Sequence, residues 1–403
     1  MLSENKTIIA AAGSGKTTKI VRDSSKNTDE KVLVVTYTQN NRSEIQRKYW
    51  ELTGVMPRNV VVDTWFIFLL RDCLRPYQNF LLDKRIGSIC FINGKSAPYV
   101  KKADIRKYYF DSETRVYTDK LSEFACLCQE SSGGAVINRL SSLYDRIYID
   151  EVQDLAGYDL EFVELLLQSD VNVTMVGDNR QATYSTNNSP KNKKFAGPKI
   201  LDKFLEWNKQ GLLAIDELTF SYRCSQAICD LADSLYPMFS PTQSKKDKVT
   251  GHDGIFLVKD SDVPDYVGEY EPQILRFDRR TKTYGANAIN FGESKGMTFD
   301  RVLIYPSGPI KKWLATGDYS NISKSDISLA KLYVALTRAR FSVGFVFDKE
   351  TKIPNTLRYQ KGLSLIRSGA FYQAILRLGN EKPKRSSMNM CKVKAVEIVN
   401  QKN

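Results

Sequence analysis

The stretch KTIIAAAGSGKTTKI, residues 6–20, decides how the rest of the chain is read. Thr7-Ile8-Ile9 is a β-branched, apolar run suited to a parallel-sheet strand buried on both faces, and Gly13-Ser14-Gly15-Lys16-Thr17 breaks it ahead of a helix. Glycines in such a turn let backbone N–H groups face a triphosphate, and the following helix offers its positive end. Lys16 would neutralise β/γ charge and the Thr17 hydroxyl would ligate Mg²⁺. The phosphate-loop pattern GxxxxGK[ST] asks for glycine at position 10, where this chain has Ala10. The rival reading is a turn of small residues before an amphipathic helix.

A chain of 403 residues suits two or three domains, and 42% hydrophobic with 26% charged residues is the balance of a soluble globular protein. No run approaches eighteen uncharged apolar residues, and no basic-then-apolar leader precedes the first strand, so a cytoplasmic protein without a membrane partner is expected. Seven cysteines lie scattered without a paired CxxC spacing, the nearest being Cys126 and Cys128, which reads as buried thiols in a reducing compartment. The single histidine, His252, argues against His-based metal sites and Ser/His/Asp catalysis. The net charge of +13, from 59 basic and 46 acidic residues, points to a polyanionic partner. The basic residues gather around 95–107, 191–203, 243–248, 276–282 and the last twenty-five positions.

Further strands carry polar residues to their ends. KVLVVTYTQNNRSEIQRK (31–48) reads as a strand ending in Thr36-Tyr37-Thr38, and VVVDTWFIFLLRD (60–72) as one ending in Thr64-Trp65. Strand ends of an open parallel sheet face the ligand crevice, which places Tyr37 to touch a ligand. A tryptophan at a helix start is more often core than platform, and Trp65 is read as core unless its context argues otherwise. In DRIYIDEVQDL (145–155) a short strand delivers Asp150-Glu151 at its carboxyl end. That pair suits Mg²⁺-nucleotide hydrolysis: one carboxylate for the metal, one to position or deprotonate water. NVTMVGDNRQATYS (172–185) ends another strand in Gly177-Asp178, with Gln181 three residues on.

This order of residues resembles the superfamily 1 helicases of the UvrD/Rep type. The resemblance continues through LTFSYRCSQAICDLAD (218–233), INFGESKGMTFDRVLIY (289–305) and AKLYVALTRARFSVGFV (330–346), and covers residues 6 to 348. It implies an α/β fold of two RecA-like P-loop NTPase domains with parallel sheets and a small inserted subdomain in the first core. It also implies roles. Gly13, Ser14, Gly15, Lys16, Thr17 and Thr18 would hold the phosphates, with Thr17 and Asp150 on Mg²⁺ and Glu151 as catalytic base. Gln181 would report the γ-phosphate, Tyr222 would stack on adenine, and Gly296 would lie against the nucleotide. Arg223 and Arg338 would reach the γ-phosphate from the second core, where planar guanidinium groups stabilise the transferring phosphoryl charge. Thr36, Tyr37, Thr64, Trp65 and Tyr184 are the candidate strand contacts.

The chain departs from the family in four places. Only MLSEN precedes the first strand, where relatives carry a helix with an adenine-reading glutamine, so base selectivity is expected to be relaxed. Tyr184-Ser185-Thr186-Asn187 stands where an aromatic and an arginine usually contact bases, and one stacking platform is lost; either Tyr37, Trp65 or an insertion aromatic compensates, or single-strand affinity is weak. Gly292 and Thr298 stand where a histidine and a ribose-binding glutamate are usual. Residues 234–288 leave no room for the large subdomain of the second core.

The expected boundaries are a first core at 1–217 with an insertion at about 71–140, a second core at 218–348, and a C-terminal helical segment with a basic tail at 349–403. Within the insertion, KKADIRKYYFDSETRVYTDK interleaves Lys101, Lys102, Arg106 and Lys107 with Tyr108, Tyr109 and Phe110. This is either a single-strand channel or a hairpin with core aromatics and solvated lysines. The reading is an ATP-driven, Mg²⁺-dependent translocase of single-stranded nucleic acid, with DNA the expected strand and tailed duplexes unwound 3′ to 5′. A second reading is a nucleotide-dependent DNA-binding subunit that guides a nuclease partner, since compact UvrD-like chains resemble the helicase-like component of Gabija-type phage-defence systems. A nucleotide switch without nucleic acid is disfavoured by the charge and by the second-core blocks.

Overall fold

Two six-stranded parallel sheets organise the computed structural model, which describes residues 4–361 apart from 93, 184, 185, 187, 188 and 284. The first sheet uses β1 (Lys6–Ala10), β2 (Val32–Thr36), β3 (Val60–Thr64), β4 (Arg146–Asp150), β5 (Asn172–Gly177) and β6 (Ala214–Leu218), in the spatial order β3-β2-β4-β5-β1-β6. Every neighbouring pair is parallel. Helices cover both faces, and for this reason β2 reads as an unbroken apolar run: Val32 and Val34 enter one core cluster, Leu33 and Val35 the other.

The second sheet follows the same logic with β7 (Gly254–Val258), β8 (Gln273–Arg276), β9 (Ile289–Asn290), β10 (Phe299–Tyr305), β11 (Ala339–Val346) and β12 (Thr356–Arg358), in the order β9-β8-β10-β11-β7-β12, all parallel. The α/β architecture of two parallel-sheet cores expected from the sequence is therefore present. Strand β12 corrects one detail. The segment after 348, read as helical, includes an edge strand, because Thr356, Leu357 and Arg358 pair in register with Ile255, Phe256 and Leu257. The rest of that segment and the basic tail, 362–403, lie outside the described residues. Among the described residues no helix is long and apolar enough to cross a membrane.

Between β3 and β4 the insertion holds the helices Ile105–Tyr109, Leu121–Ser131 and Ala135–Leu143 and a two-stranded pair, Ile89–Cys90 with Val116–Tyr117. It has no core of its own: Tyr109, Phe110, Leu121, Phe124 and Leu140 join the same apolar cluster as Leu33 and Ile149 of the sheet. The basic-aromatic stretch combines both: Ile105–Tyr109 is helical, Phe110 and Val116 then close a tight antiparallel turn, and Tyr109 and Phe110 are interior. Tyr109 and Phe110 pack on Phe124 with ring centres 5.0 and 5.1 Å apart. His252 is also interior, stacked between Phe256 and Tyr270.

Candidate active site between the two cores

The turn after β1 is shaped by close approach. Gly13 and Gly15 have φ of 75° and 81°, in the left-handed region that favours glycine. A Cβ on Gly13 would lie 2.5 Å from the Arg223 Cβ and 2.9 Å from the Ser221 Oγ. Ala10 takes the place of the pattern's first glycine without strain, because it is the last residue of β1, paired with Leu218, and has no positive φ. The turn is stitched to the segment that enters the second core: Tyr222 N donates to Gly13 O (2.9 Å) and Ser221 Oγ to Ala12 O (2.7 Å).

A cavity of about 860 Å³ opens above this turn. Its walls include Gly13, Ser14, Gly15, Lys16, Thr17 and Thr18 from the first core, Asp150, Glu151 and Gln181 from the ends of β4 and β5, and Tyr222, Arg223, Gly296 and Arg338 from the second-core side. The structure therefore brings together every residue the sequence assigned to nucleotide chemistry. Its volume lies within the range of small-molecule sites. Tyr222 is 64% exposed at the rim, a free aromatic face.

The interior is dense with charge. Lys16 Nζ lies 3.4 Å from Glu151 Oε1. Burial works to raise the Glu151 carboxyl, but Lys16 and Lys295 outweigh it and hold it well below the usual carboxylate range. Burial and the adjacent Glu151 push Asp150 the other way, upward. Glu151 has a φ of 56°, unusual for a residue with a side chain. Gln153 braces it, donating to Glu151 Oε2 while its own carbonyl accepts from Asp178 N at 3.1 Å. Gly177 makes room, since a Cβ there would meet Gln153 Oε1 at 2.4 Å.

Gln181 links the cores: it donates to Asp178 Oδ2 (2.8 Å) and accepts from Arg338 Nη2 (3.0 Å). Arg338 is fully buried, and burial and the neighbouring Arg223 lower its pKa to about 9, leaving it cationic at neutral pH. Arg223 Nη1 donates to Thr337 O at 3.2 Å. Sequence reasoning missed three further cross-core groups. Lys295 Nζ sits 2.8 Å from Asp154 and 3.6 Å from Glu151. Arg180 bridges Asp178 (2.8 Å) and Asp233 (3.2 Å), and Tyr333 donates to Asp178 (3.1 Å). The acidic residue at 154 and the lysine of ESKGM were visible signals, but nothing in their spacing says that they meet.

The proposed strand contacts divide. Tyr37 lines both the nucleotide cavity and a second cavity of about 990 Å³, whose wall also holds Thr64, Phe66 and the exposed Phe91. Trp65 does not face that cavity and is corrected to core: it is 1% exposed and its Nε1 donates to Asp159 Oδ1 at 2.7 Å. Thr36 is buried, with its hydroxyl unpartnered among the described residues, and the Thr64 hydroxyl caps the helix that follows. Lys101 and Arg106 are exposed, whereas Lys102 is engaged with Glu123 and Tyr158. Tyr184 lies outside the described residues.

Residues 95–192, the stretch that includes Asp150 through Asp154, match the family model described as the UvrD/REP helicase N-terminal domain. That stretch of the first core is similar to the UvrD/REP family model. Among curated proteins none matches the chain. Solved structures similar to it include the arterivirus nonstructural protein 10 helicase (14% identity, TM-score 0.43, covering 85% of this chain and 59% of that one) and its complex with DNA (15%, 0.44, 85% and 61%). Another is the PRRSV helicase (14%, 0.42, 94% and 69%). This chain thus spans about three fifths of the length of the nonstructural protein 10 chains it is compared with.

Proposed function

We propose that the chain is an ATP-driven motor on single-stranded nucleic acid, with DNA as its strand and 3′-to-5′ travel. The carrying observation is that Lys16 and Glu151 of one core and Arg223 and Arg338 of the other line a single cavity. Such a site is complete only when both cores contribute, so ATP binding favours the closed arrangement and product release the open one, and a strand held across both cores is moved.

The residues present suit Mg²⁺-ATP. The Thr17 hydroxyl and the Asp150 carboxylate are hard oxygen donors, and Ser14, in the cavity wall, has a buried Oγ without a partner among the described residues. No dedicated cluster of three or more His, Cys, Asp or Glu exists among the described residues, which agrees with a metal held mainly by phosphates and water. Bound Mg²⁺ supplies charge neutralisation on the β/γ oxygens. Glu151, kept ionised, accepts a proton from the attacking water, and Arg223 and Arg338 hold the transferring phosphoryl group.

The test is an ATPase titration with poly-dT and poly-U beside displacement from 3′- and 5′-tailed duplexes. Strand-stimulated hydrolysis that disappears in Lys16→Ala and Glu151→Gln supports the motor. Hydrolysis indifferent to any polymer opposes it. A second reading, a DNA-binding subunit serving a nuclease in phage defence, is favoured by the compactness of residues 234–288. The described part of that stretch holds β7, β8, the helix Val263–Tyr270, the two-residue strand Gln243–Ser244 paired with Phe220–Ser221, and connecting loops, with no large inserted subdomain. Binding of ATP and DNA without strand displacement, together with a co-purifying nuclease, would select it.

A further inference from the structure

The insertion contains a lysine pocket that the nucleotide chemistry leaves unused. It measures about 400 Å³, and Lys95, Lys102, Lys120 and Lys191 line it above the rings of Tyr108 and Tyr158. Two of its lysines are balanced, Lys102 by Glu123 and Lys191 by Glu161. Lys120 is not. It is 4% exposed, its ammonium lies 3.6 Å from the centre of the Tyr108 ring, and among the described residues no carboxylate or carbonyl is bonded to it.

Its place in the fold sharpens the anomaly. Lys120 is the N-cap of the eleven-residue helix Leu121–Ser131, and no side chain caps that end. A helix N-terminus carries a positive partial charge and prefers anionic or neutral oxygen caps, so a buried cation there is of the wrong sign. The nearby acids relieve it only in part: both Asp119 oxygens are held by Ser96, through its N–H and its hydroxyl, and Glu123 is paired with Lys102. Burial accordingly depresses the Lys120 pKa despite those neighbours. A lysine buried along its stem, with no hydrogen-bond or ion-pair partner among the described residues and the Tyr108 ring against its ammonium, at the positive end of a helix, leaves room for an anion.

The position of the pocket says which anion. The nucleotide cavity and the aromatic-walled cavity share Tyr37 and Thr38, and the aromatic-walled cavity and the lysine pocket share Asp119. Shared wall residues thus place the three cavities side by side in a row, from the nucleotide site to the insertion. We propose that the lysine pocket seats a backbone phosphate of the bound strand, with Lys120 as its buried contact, while neighbouring bases lie against Phe66 and Phe91. This rests on the reading of the chain as a strand-binding motor.

The experiment compares wild type with Lys120→Met, which keeps the apolar stem over Tyr108, and with the surface variant Lys95→Met, using fluorescent oligo-dT over a salt series. Each variant should lower the slope of log affinity against log salt by about 0.7, as expected for one lost phosphate contact on a single strand. Lys120→Met should weaken binding about tenfold at fixed salt. It should unfold at the wild-type temperature or higher, while ATP hydrolysis without a strand stays unchanged. If wild type itself shows no salt-dependent binding, the motor reading falls and this proposal with it. If wild type binds and both variants keep its slope, only the phosphate seat is overturned. Thermal protection of wild type by inorganic phosphate, lost in Lys120→Met with an unchanged oligonucleotide slope, would assign the pocket to a free anion and also overturn it.

Discussion

Lys295→Met should separate the two cores energetically. Lys295 is 12% and Asp154 3% exposed at the side chain, and the ammonium sits 2.8 Å from Asp154 and 3.6 Å from Glu151. At an effective dielectric near 20 these contacts correspond to about 6 and about 5 kcal/mol of attraction. Much of this is offset by removing the lysine from water. What truncation leaves is Asp154 buried without its cation, while Glu151 keeps Lys16; for a buried carboxylate stripped of its partner a cost of about 3–5 kcal/mol is typical. Because the lysine belongs to the second core and the acids to the first, the loss falls on their docking. Urea unfolding of Lys295→Met, Asp154→Asn and the double variant should give a single-variant loss of about 3 kcal/mol. It should also give a double-variant loss smaller than the sum by about 2 kcal/mol. A loss below about 1 kcal/mol for Lys295→Met, or additivity within about 0.5 kcal/mol, would refute the claim that this bridge holds the cores together.

Asp150→Asn should abolish ATP hydrolysis yet raise the melting temperature of the nucleotide-free protein by about 2 °C or more, since it removes a buried carboxylate beside Glu151. An Asp whose folded pKa is raised loses stability as pH rises through that value, so the gain should be largest near pH 8 and shrink toward about pH 5; a difference flat with pH would contradict the burial argument. Trp65→Phe should destabilise the chain by about 1–3 kcal/mol in urea, because Asp159 loses a donor, with oligonucleotide salt slopes unchanged. A changed slope would return Trp65 to the strand. Gly13→Ala should eliminate nucleotide binding in a calorimetric titration, because its Cβ would collide with Arg223 while φ stays left-handed; wild-type affinity would show that the turn has room.

Local chemistry was the legible part. Strand-and-turn patterning located β1, β2, β4 and β5 with their terminal residues, because buried parallel strands concentrate apolar residues and end abruptly at polar ones. The resemblance, rather than spacing, joined Arg223 and Arg338 to Lys16. What stayed hidden was long-range: Lys295 to Asp154 spans 141 residues and Tyr333 to Asp178 spans 155, and pattern within a window holds no information about such pairs. Trp65 was ambiguous for a related reason. Its indole is fixed by Asp159, 94 residues away, and exposure cannot be read from a tryptophan at a strand end. Lys120 passed unnoticed because a lysine in a polar turn looks solvated until the helix behind it is placed.

The account depends most on one fuel pocket built by both cores, and single-turnover ATP hydrolysis by Arg338→Ala with saturating poly-dT tests it directly. The shared pocket predicts a fall of about 10³-fold or more in the chemical step, with nucleotide binding largely kept, because Arg338 reaches the first core at Gln181. Hydrolysis near the wild-type rate would mean that the second core does not take part in the chemistry.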